Sequence, residues 1–179
     1  MNAGGGDCKT PCKVCKLCGG GNRAGFEYRQ VKTSGSAPPE IVLPYFFLGA
    51  AAEPLNAHLD RIAQRYGAFF KGKEYRAALR GTVCTAGEAL LSFYLDAYAV
   101  LFGECVSFFR LGEIWDNRRG VLLPCPPKTK RGGGWYTDGR RLILYQNTFS
   151  GASREHRRRP ARSVLWRETP LSLQQLTKA

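Results

Sequence analysis

The longest apolar run of the chain, from Ala89 to Phe102, constrains the fold more than any other segment. It is about fourteen residues long and contains one charged residue, Asp96. Such a run is too short to span a membrane, so a folded core must bury it. Thr85 and Glu88 precede it in the S/T-x-x-E pattern of a helix N-terminus, and Gly103 follows it. The sequence therefore predicts a central buried helix that ends near Gly103.

A second helix is predicted over residues 53–67, where apolar residues recur every three or four positions. They would form one buried face of an amphipathic helix, which Gly67 would end. The apolar positions are Leu55, Leu59, Ile62 and Tyr66. A short helix is also predicted at the C-terminal end, with Pro170 in its first turn.

Strands are predicted in the remaining segments. Residues 26–32 alternate apolar and polar side chains, and the apolar runs at 105–112 and 120–127 suit two further strands. Asp138-Gly139 lies between two β-prone runs, a pattern typical of a hairpin turn. Helices and strands together predict the α+β class.

Four cysteines lie within eleven residues near the N-terminus: Cys8, Cys12, Cys15 and Cys18. A disulfide framework is not favoured, because the chain has seven cysteines and no recognisable secretory signal. The spacing also matches the start of a ferredoxin run and that of radical-SAM enzymes, but the x3-Cys-Pro ending of the ferredoxin run is absent. A zinc knuckle fits better, since Cys15 and Cys18 bracket a tight turn and glycines follow.

The zinc ligand set has two possible completions. All four N-terminal cysteines could close the site, although their spacing is cramped. Alternatively one N-terminal pair could be joined by Cys84, placed before the predicted central helix, because a helix N-terminus favours thiolate charge, with a further N-terminal cysteine as the fourth ligand. Cys84 could equally be a buried thiol beside the helix start. Gly87 stands where the second cysteine of such a pair would be. The candidate ligands of Zn²⁺ are Cys8, Cys12, Cys15, Cys18 and Cys84.

These features divide the chain into three predicted regions. Residues 1–32 are a cysteine-rich metal-binding module, residues 33–116 a mixed helical core, and residues 117–179 a basic β-hairpin region with a C-terminal tail. The predicted architecture is therefore α+β, with an N-terminal zinc knuckle, a central buried helix and a basic C-terminal hairpin.

Positive charge is concentrated in the C-terminal third. The formal net charge is +13, and residues 117–179 hold fourteen of the 27 Lys and Arg residues but three of the 14 Asp and Glu residues. A strong field of one sign usually serves a polyanion. We expect nucleic acid rather than a membrane as the partner, since the sequence has no basic amphipathic helix.

The basic region contains two groups of candidate nucleic-acid contacts. In the hairpin, arginines would hold phosphates while aromatic rings stack on bases; alternatively the rings pack in the core. These residues are Lys128, Lys130, Arg131, Trp135, Tyr136, Arg140 and Arg141. In the flexible loop that follows, arginines would neutralise phosphates, because nothing acidic nearby could pair with them; alternatively they form a solvated face. These are Arg154, Arg157, Arg158, Arg159 and Arg162.

Catalysis is not predicted. Of the two histidines, His58 is expected to be an ordinary helix residue, and His156 to contact backbone or phosphate. The sequence has no D-x-D, E-x-x-H or P-loop pattern, whereas nucleases and transferases normally need such chemistry. We therefore expect a protein that is not an enzyme. Because no secretory signal is recognisable and the longest apolar run is too short to span a membrane, we also expect it to be soluble, intracellular and cytoplasmic.

The N-terminal "CKLCGG" pair and the later "VCTAGEALL" segment resemble the small zinc-bearing large subunits of minimal (type IV) CRISPR effector complexes. The resemblance implies a metal framed by a knuckle pair and by a second pair before a helix. It further implies an antiviral subunit that caps a guide-RNA filament and contacts the target duplex next to the protospacer. Gly87 departs from the second pair, which leaves the ligand set open.

The sequence thus predicts a non-catalytic, zinc-stabilised nucleic-acid-binding subunit of a ribonucleoprotein. RNA is the first expected partner, DNA a second, and other protein subunits would complete the assembly. The alternative is a zinc-dependent protein-interaction adaptor, such as an accessory factor of a virus or mobile element. An iron–sulfur enzyme is the third possibility.

Overall fold

Two sheets and one long helix form three layers in the computed structural model, which describes residues 25–33, 38–71, 73–125 and 132–170. The mixed α+β class is confirmed, with strands predominating. The helices are α1 (Ala52–Phe70) and α2 (Arg154–Arg158). The strands are β1 (Phe26–Val31), β2 (Glu40–Phe46), β3 (Arg76–Ala86), β4 (Leu90–Leu101), β5 (Glu104–Asp116), β6 (Val121–Leu122), β7 (Gly133–Thr137), β8 (Arg141–Asn147) and β9 (Val164–Pro170).

The first sheet has the strand order β1-β2-β3-β4-β5-β6, and the second has the order β7-β8-β9. Neighbouring strands are antiparallel except β2 and β3, which are parallel. Helix α1 connects these two strands, because parallel neighbours need a crossover. The six-stranded sheet takes strands from all three regions predicted from the sequence. Within the described ranges, neither helix is long and apolar enough to cross a membrane.

Helix α1 confirms the amphipathic helix predicted over residues 53–67 and covers one face of the first sheet. Leu55, Leu59 and Ala63 are buried at successive four-residue intervals. The predicted end at Gly67 is wrong, because the helix continues to Phe70, which is also buried. Gly67 serves close packing instead: a Cβ atom there would lie 2.7 Å from Cγ2 of Thr33.

The predicted central buried helix is wrong: its residues form the end of β3, a turn and strand β4. Thr85 caps no helix, and its hydroxyl donates to the carbonyl oxygen of Thr137 at 3.0 Å. Strand β4 is nearly continuous in apolar residues because both of its faces are covered. Phe93 and Leu95 belong to the core beneath α1, whereas Tyr94 contacts the second sheet.

The predicted hairpin at Asp138-Gly139 is confirmed, since this turn joins β7 and β8. Strand β5 contains the run predicted at 105–112 and extends beyond it to Asp116. Of the strand predicted at 120–127, the described residues 120–125 form strand only at β6. The second sheet packs on the face of the first that is opposite α1. The Tyr145 hydroxyl donates to the Arg110 carbonyl at 3.1 Å, and the Asn147 side chain bonds both the N–H and the carbonyl of Arg110 at 2.9 Å.

A charged pair lies between the two sheets. Asp96 and Arg110 are directly opposite each other on β4 and β5 and form two hydrogen bonds, at 2.5 and 2.6 Å. The guanidinium is 5% exposed and lies over the rings of Tyr94 and Trp166, at 3.8 and 4.7 Å from their centres. Burial tends to lower the pKa of Arg110, but Asp96 offsets it and the pKa stays above its ordinary value.

We expect Asp96→Ala to lower the free energy of unfolding by about 3–5 kcal/mol, because Arg110 would keep its charge in the interior without a counterion. Urea unfolding measures the change. The matched control is Glu40→Ala, which removes a carboxylate that accepts two hydrogen bonds from Arg80. Both side chains of this ion pair are about half exposed. Glu40→Ala should lower the free energy of unfolding by about 0–1 kcal/mol. Equal losses of stability in the two variants would contradict the internal role of the Asp96–Arg110 pair.

Candidate nucleic-acid interface

The five-arginine stretch predicted as a flexible loop is ordered in short helical turns. Residues 153–163, here called the arginine segment, comprise α2 and a 3-10 helix, Pro160–Ser163. The hydroxyl oxygen of Ser153 accepts a hydrogen bond from the N–H of His156 and so caps α2. The arginines therefore have defined positions on the surface.

Arg157 attaches the arginine segment to the rest of the fold. Its Nε lies 2.7 Å from Oε2 of Glu104, the first residue of β5, and its Nη1 donates to the Gly151 carbonyl at 2.8 Å. His156 contributes a backbone contact, as predicted, because its Nδ1 accepts from the N–H of Ser150 at 3.1 Å. Its ring also packs near that of Phe149.

The other arginines of the segment are exposed: Arg154, Arg158, Arg159 and Arg162. The expectation that nothing acidic lies nearby is wrong. Glu104 pairs with Arg157, and Oε1 of Glu155 lies 3.9 and 3.8 Å from the guanidinium groups of Arg159 and Arg162. One carboxylate beside two exposed guanidinium groups leaves an excess of positive charge, to which Arg154 and Arg158 add.

The β7–β8 turn presents two further predicted contacts, Arg140 and Arg141, which differ in their pairing. Arg141 binds both Asp138 and Glu168, so its charge is balanced within the protein. Partial burial tends to raise the pKa of Asp138, but hydrogen bonds from the N–H groups of Arg140 and Arg141 and from the Arg141 guanidinium lower it overall. Among the described residues, the exposed side chain of Arg140 makes no ion pair.

Trp135 and Tyr136 do not form a stacking surface. They are 4% and 7% exposed, so the alternative of core packing describes both. Trp135 packs against Leu90, Ile114 and Leu123. The ring of Tyr136 lies 5.1 Å from that of Tyr94 on β4, and burial raises the pKa of its hydroxyl. These adjacent residues of β7 are both buried against the first sheet, because Leu90 and Ile114 contact Trp135 while Tyr94 contacts Tyr136.

The fold separates the two predicted groups of basic residues. Strand β8 connects the β7–β8 turn to the segment that follows Asn147, and its seven residues span about 20 Å. Arg140 and the arginine segment therefore lie towards opposite ends of the second sheet. Three predicted contacts fall outside the described residues: Lys128, Lys130 and Arg131.

Cys84 is the one predicted zinc ligand that the structure describes, and the helix expected after it is absent. It lies in β3, where its Sγ is 3.8 Å from the carbonyl oxygen of Thr82, and it packs against the cluster that contains Cys105 and Tyr136. In the described ranges, no three His, Cys, Asp or Glu residues come together as a metal site. The other candidates lie outside the described residues: Cys8, Cys12, Cys15 and Cys18.

His58 has a partner that sequence reasoning missed. Its Nε2 lies 2.9 Å from Oε1 of the buried Glu113, and the indole N–H of Trp115 donates to Oε2 of the same carboxylate. Both carboxylate oxygens are thus engaged, and the pair joins α1 to β5. Glu113 is 55 residues away in the chain, so no local pattern could have indicated the contact.

Phe102 was also missed, because it was placed at the end of the supposed buried helix. It lies at the tip of the β4–β5 hairpin and is 96% exposed. Glu104, the anchor of Arg157, follows it by two residues, so this tip is next to the arginine segment. The signal for the turn is Phe102-Gly103 between two β-prone runs, with glycine at the second turn position.

No protein-family model matches the chain, and no curated protein sequence matches it. Function is therefore inferred from the charges and contacts of this chain.

We expect Arg157→Gln to loosen the arginine segment, because it removes the ion pair with Glu104 and a charged hydrogen bond to Gly151. The free energy of local opening should fall by about 1–2 kcal/mol. Amide hydrogen exchange of residues 154–163 measures it. Arg158→Gln removes the same charge without these contacts and should leave exchange unchanged; equal exchange in the two variants would contradict the anchoring role.

Proposed function

We propose that this chain is a non-catalytic nucleic-acid-binding protein that holds RNA phosphates with its arginine segment. The observation that carries the proposal is that the arginines of that segment differ in their contacts. Arg157 is fixed to Glu104 and Gly151, whereas the remaining four arginines are exposed on the turns that Arg157 holds. A fixed backbone that carries exposed guanidinium groups suits binding of a repeated anion.

The physical basis is electrostatic. An exposed guanidinium donates two parallel hydrogen bonds to a phosphate and releases the counterions condensed on the nucleic acid. Arg154 and Arg158 make no ion pair among the described residues. Arg159 and Arg162 share the single carboxylate of Glu155 at nearly 4 Å, a distance at which a phosphate competes readily. Such contacts position RNA without reading its sequence.

The wider assembly is part of the same proposal. A ribonucleoprotein of the CRISPR type, with guide RNA, target DNA and other subunits as partners, would suit a basic subunit located in the cytoplasm. Of the two segments that resemble that family, the one around Cys84 is strand rather than a helix start. The resemblance therefore rests on the pair Cys15 and Cys18.

Zinc is proposed as the cofactor of the N-terminal cysteines. Thiolate groups with this spacing suit a tetrahedral structural site, whereas Cys84 packs in a largely aromatic cluster. We expect zinc to copurify with the full chain and with Cys84→Ser, and to be lost from the double variant Cys15→Ser/Cys18→Ser. Elemental analysis of the purified proteins tests this. Zinc retained by the double variant, or iron with acid-labile sulfide, would refute the assignment.

The salt dependence of RNA binding tests the arginine segment. For the wild-type chain we expect the affinity for a labelled single-stranded RNA to fall linearly with salt on a log–log scale. The double variant Arg158→Gln/Arg162→Gln should reduce the slope by about 1.4, because each phosphate contact on a single strand contributes about 0.7. Fluorescence anisotropy at several salt concentrations measures both quantities.

The matched control is Arg61→Gln/Arg65→Gln, which removes two exposed arginines from α1. This control has the same net charge as Arg158→Gln/Arg162→Gln. If the arginine segment contacts the RNA directly, the salt slope of the control should stay near the wild-type value. Equal slopes in the two variants would indicate a response to net charge alone. Affinity that does not depend on salt would refute phosphate binding, and a copurifying protein without nucleic acid would favour the adaptor.

A further inference from the structure

The tip of the β4–β5 hairpin combines two unfavourable features in one residue. Leu101 pairs with Glu104, so Phe102 and Gly103 alone form the turn. Their φ angles are +51° and +82°, as in a type I′ turn, which requires positive φ at both central residues. Among the described non-glycine residues, Phe102 alone has a positive φ.

Phenylalanine is a poor choice at this position on both counts. The left-handed region favours Gly and Asn and disfavours bulky side chains. The ring is also 96% exposed, so it gains no burial that would offset the strain. A strained and exposed apolar residue that nothing in the fold requires indicates a role in binding.

The surroundings of Phe102 indicate the chemistry of its ligand. Glu104, the nearest acidic residue along the strand, is paired with Arg157 of the arginine segment. On the neighbouring strand β3, the exposed Arg76 lies directly opposite Val100 of β4, and Val100 comes two residues before Phe102. Beyond the start of β3, Lys73 lies over the exposed ring of Phe69 at 3.5 Å. Cations that outnumber Glu74 and Glu104 around a protruding ring suit an anion that carries aromatic groups.

We propose that Phe102 stacks on an unpaired base of single-stranded RNA whose phosphates the arginine segment holds. This inference rests on the proposed function and assigns a base contact to it. Stacking accepts any base, since every base has a π-face, and a ring at the end of a two-residue turn can enter between bases without moving the sheet. An apolar protein partner is less suitable, because it would have to cover the flanking arginines as well.

The test is Phe102→Asn, which removes the ring and supplies a residue that tolerates positive φ. We expect a higher Tm than wild type, so weaker binding cannot be ascribed to unfolding. The Kd for a fluorescein-labelled short oligouridine should rise about 5- to 150-fold, the usual effect of losing one stacked base. The Kd for inorganic polyphosphate, which has no bases, should not change. Phe102→Trp should bind the oligouridine at least as well as wild type.

The control variant is Phe47→Asn, which removes a half-exposed ring next to β2, at the opposite end of the first sheet. It should bind both probes like wild type. If Phe102→Asn binds oligouridine like wild type while Arg158→Gln/Arg162→Gln does not, the stacking role is wrong and phosphate binding stands. Equal weakening for both probes also refutes stacking. If wild type binds neither probe at low salt, the proposed function fails as well.

Discussion

The pairing of β4 with β5 is the constraint on which the other layers depend. These strands are the longest described, at 12 and 13 residues, and they are covered by α1 on one face and by the second sheet on the other. Polar groups persist in such a place only with partners. The Asp96–Arg110 pair supplies each charge with its counterion directly across the ladder, which favours this register. Tyr94 and Trp166 then pack on the guanidinium and bring the second sheet into place.

The same hairpin connects the core to the candidate site. Strand β5 begins at Glu104, which holds Arg157, and continues to Arg110, whose backbone bonds Asn147 at the end of β8. The chain between Asn147 and Arg157 is thereby fixed at both ends to one strand. The arginine segment owes its position to these contacts, since a five-residue helix has little stability of its own.

The sequence was informative where a local pattern had one structural solution. The stripe of Leu55, Leu59 and neighbouring residues allowed only an amphipathic helix, and Asp138-Gly139 allowed a hairpin turn. The helix prediction for the run from Ala89 to Phe102 is wrong because a continuous apolar run is equally compatible with a buried helix and with a strand covered on both faces. Its polar members, Ser92 and Asp96, lie an even number of residues apart with Tyr94 between them, which fits a period of two.

Contacts between residues that are distant in the chain could not be predicted from local sequence patterns. Glu104 and Arg157 are far apart in sequence, as are His58 and Glu113, and neither pair leaves a spacing signature. The burial of Trp135 and Tyr136 likewise depends on how the two sheets meet. A hairpin sequence specifies its turn, but the tertiary contacts decide which of its side chains face the core.

Net charge alone overstated the number of residues free to bind a polyanion. Of the C-terminal arginines, Arg141 is balanced by two carboxylates and Arg157 serves as an anchor. Arg110, earlier in the chain, is charged but internal. Arginine is suited to such internal roles because its planar group binds carboxylates through two bonds and stacks on rings. For the proposed function, the basic sequence therefore indicates only the sign of the partner's charge, and the location of the candidate surface follows from which guanidinium groups the fold leaves exposed.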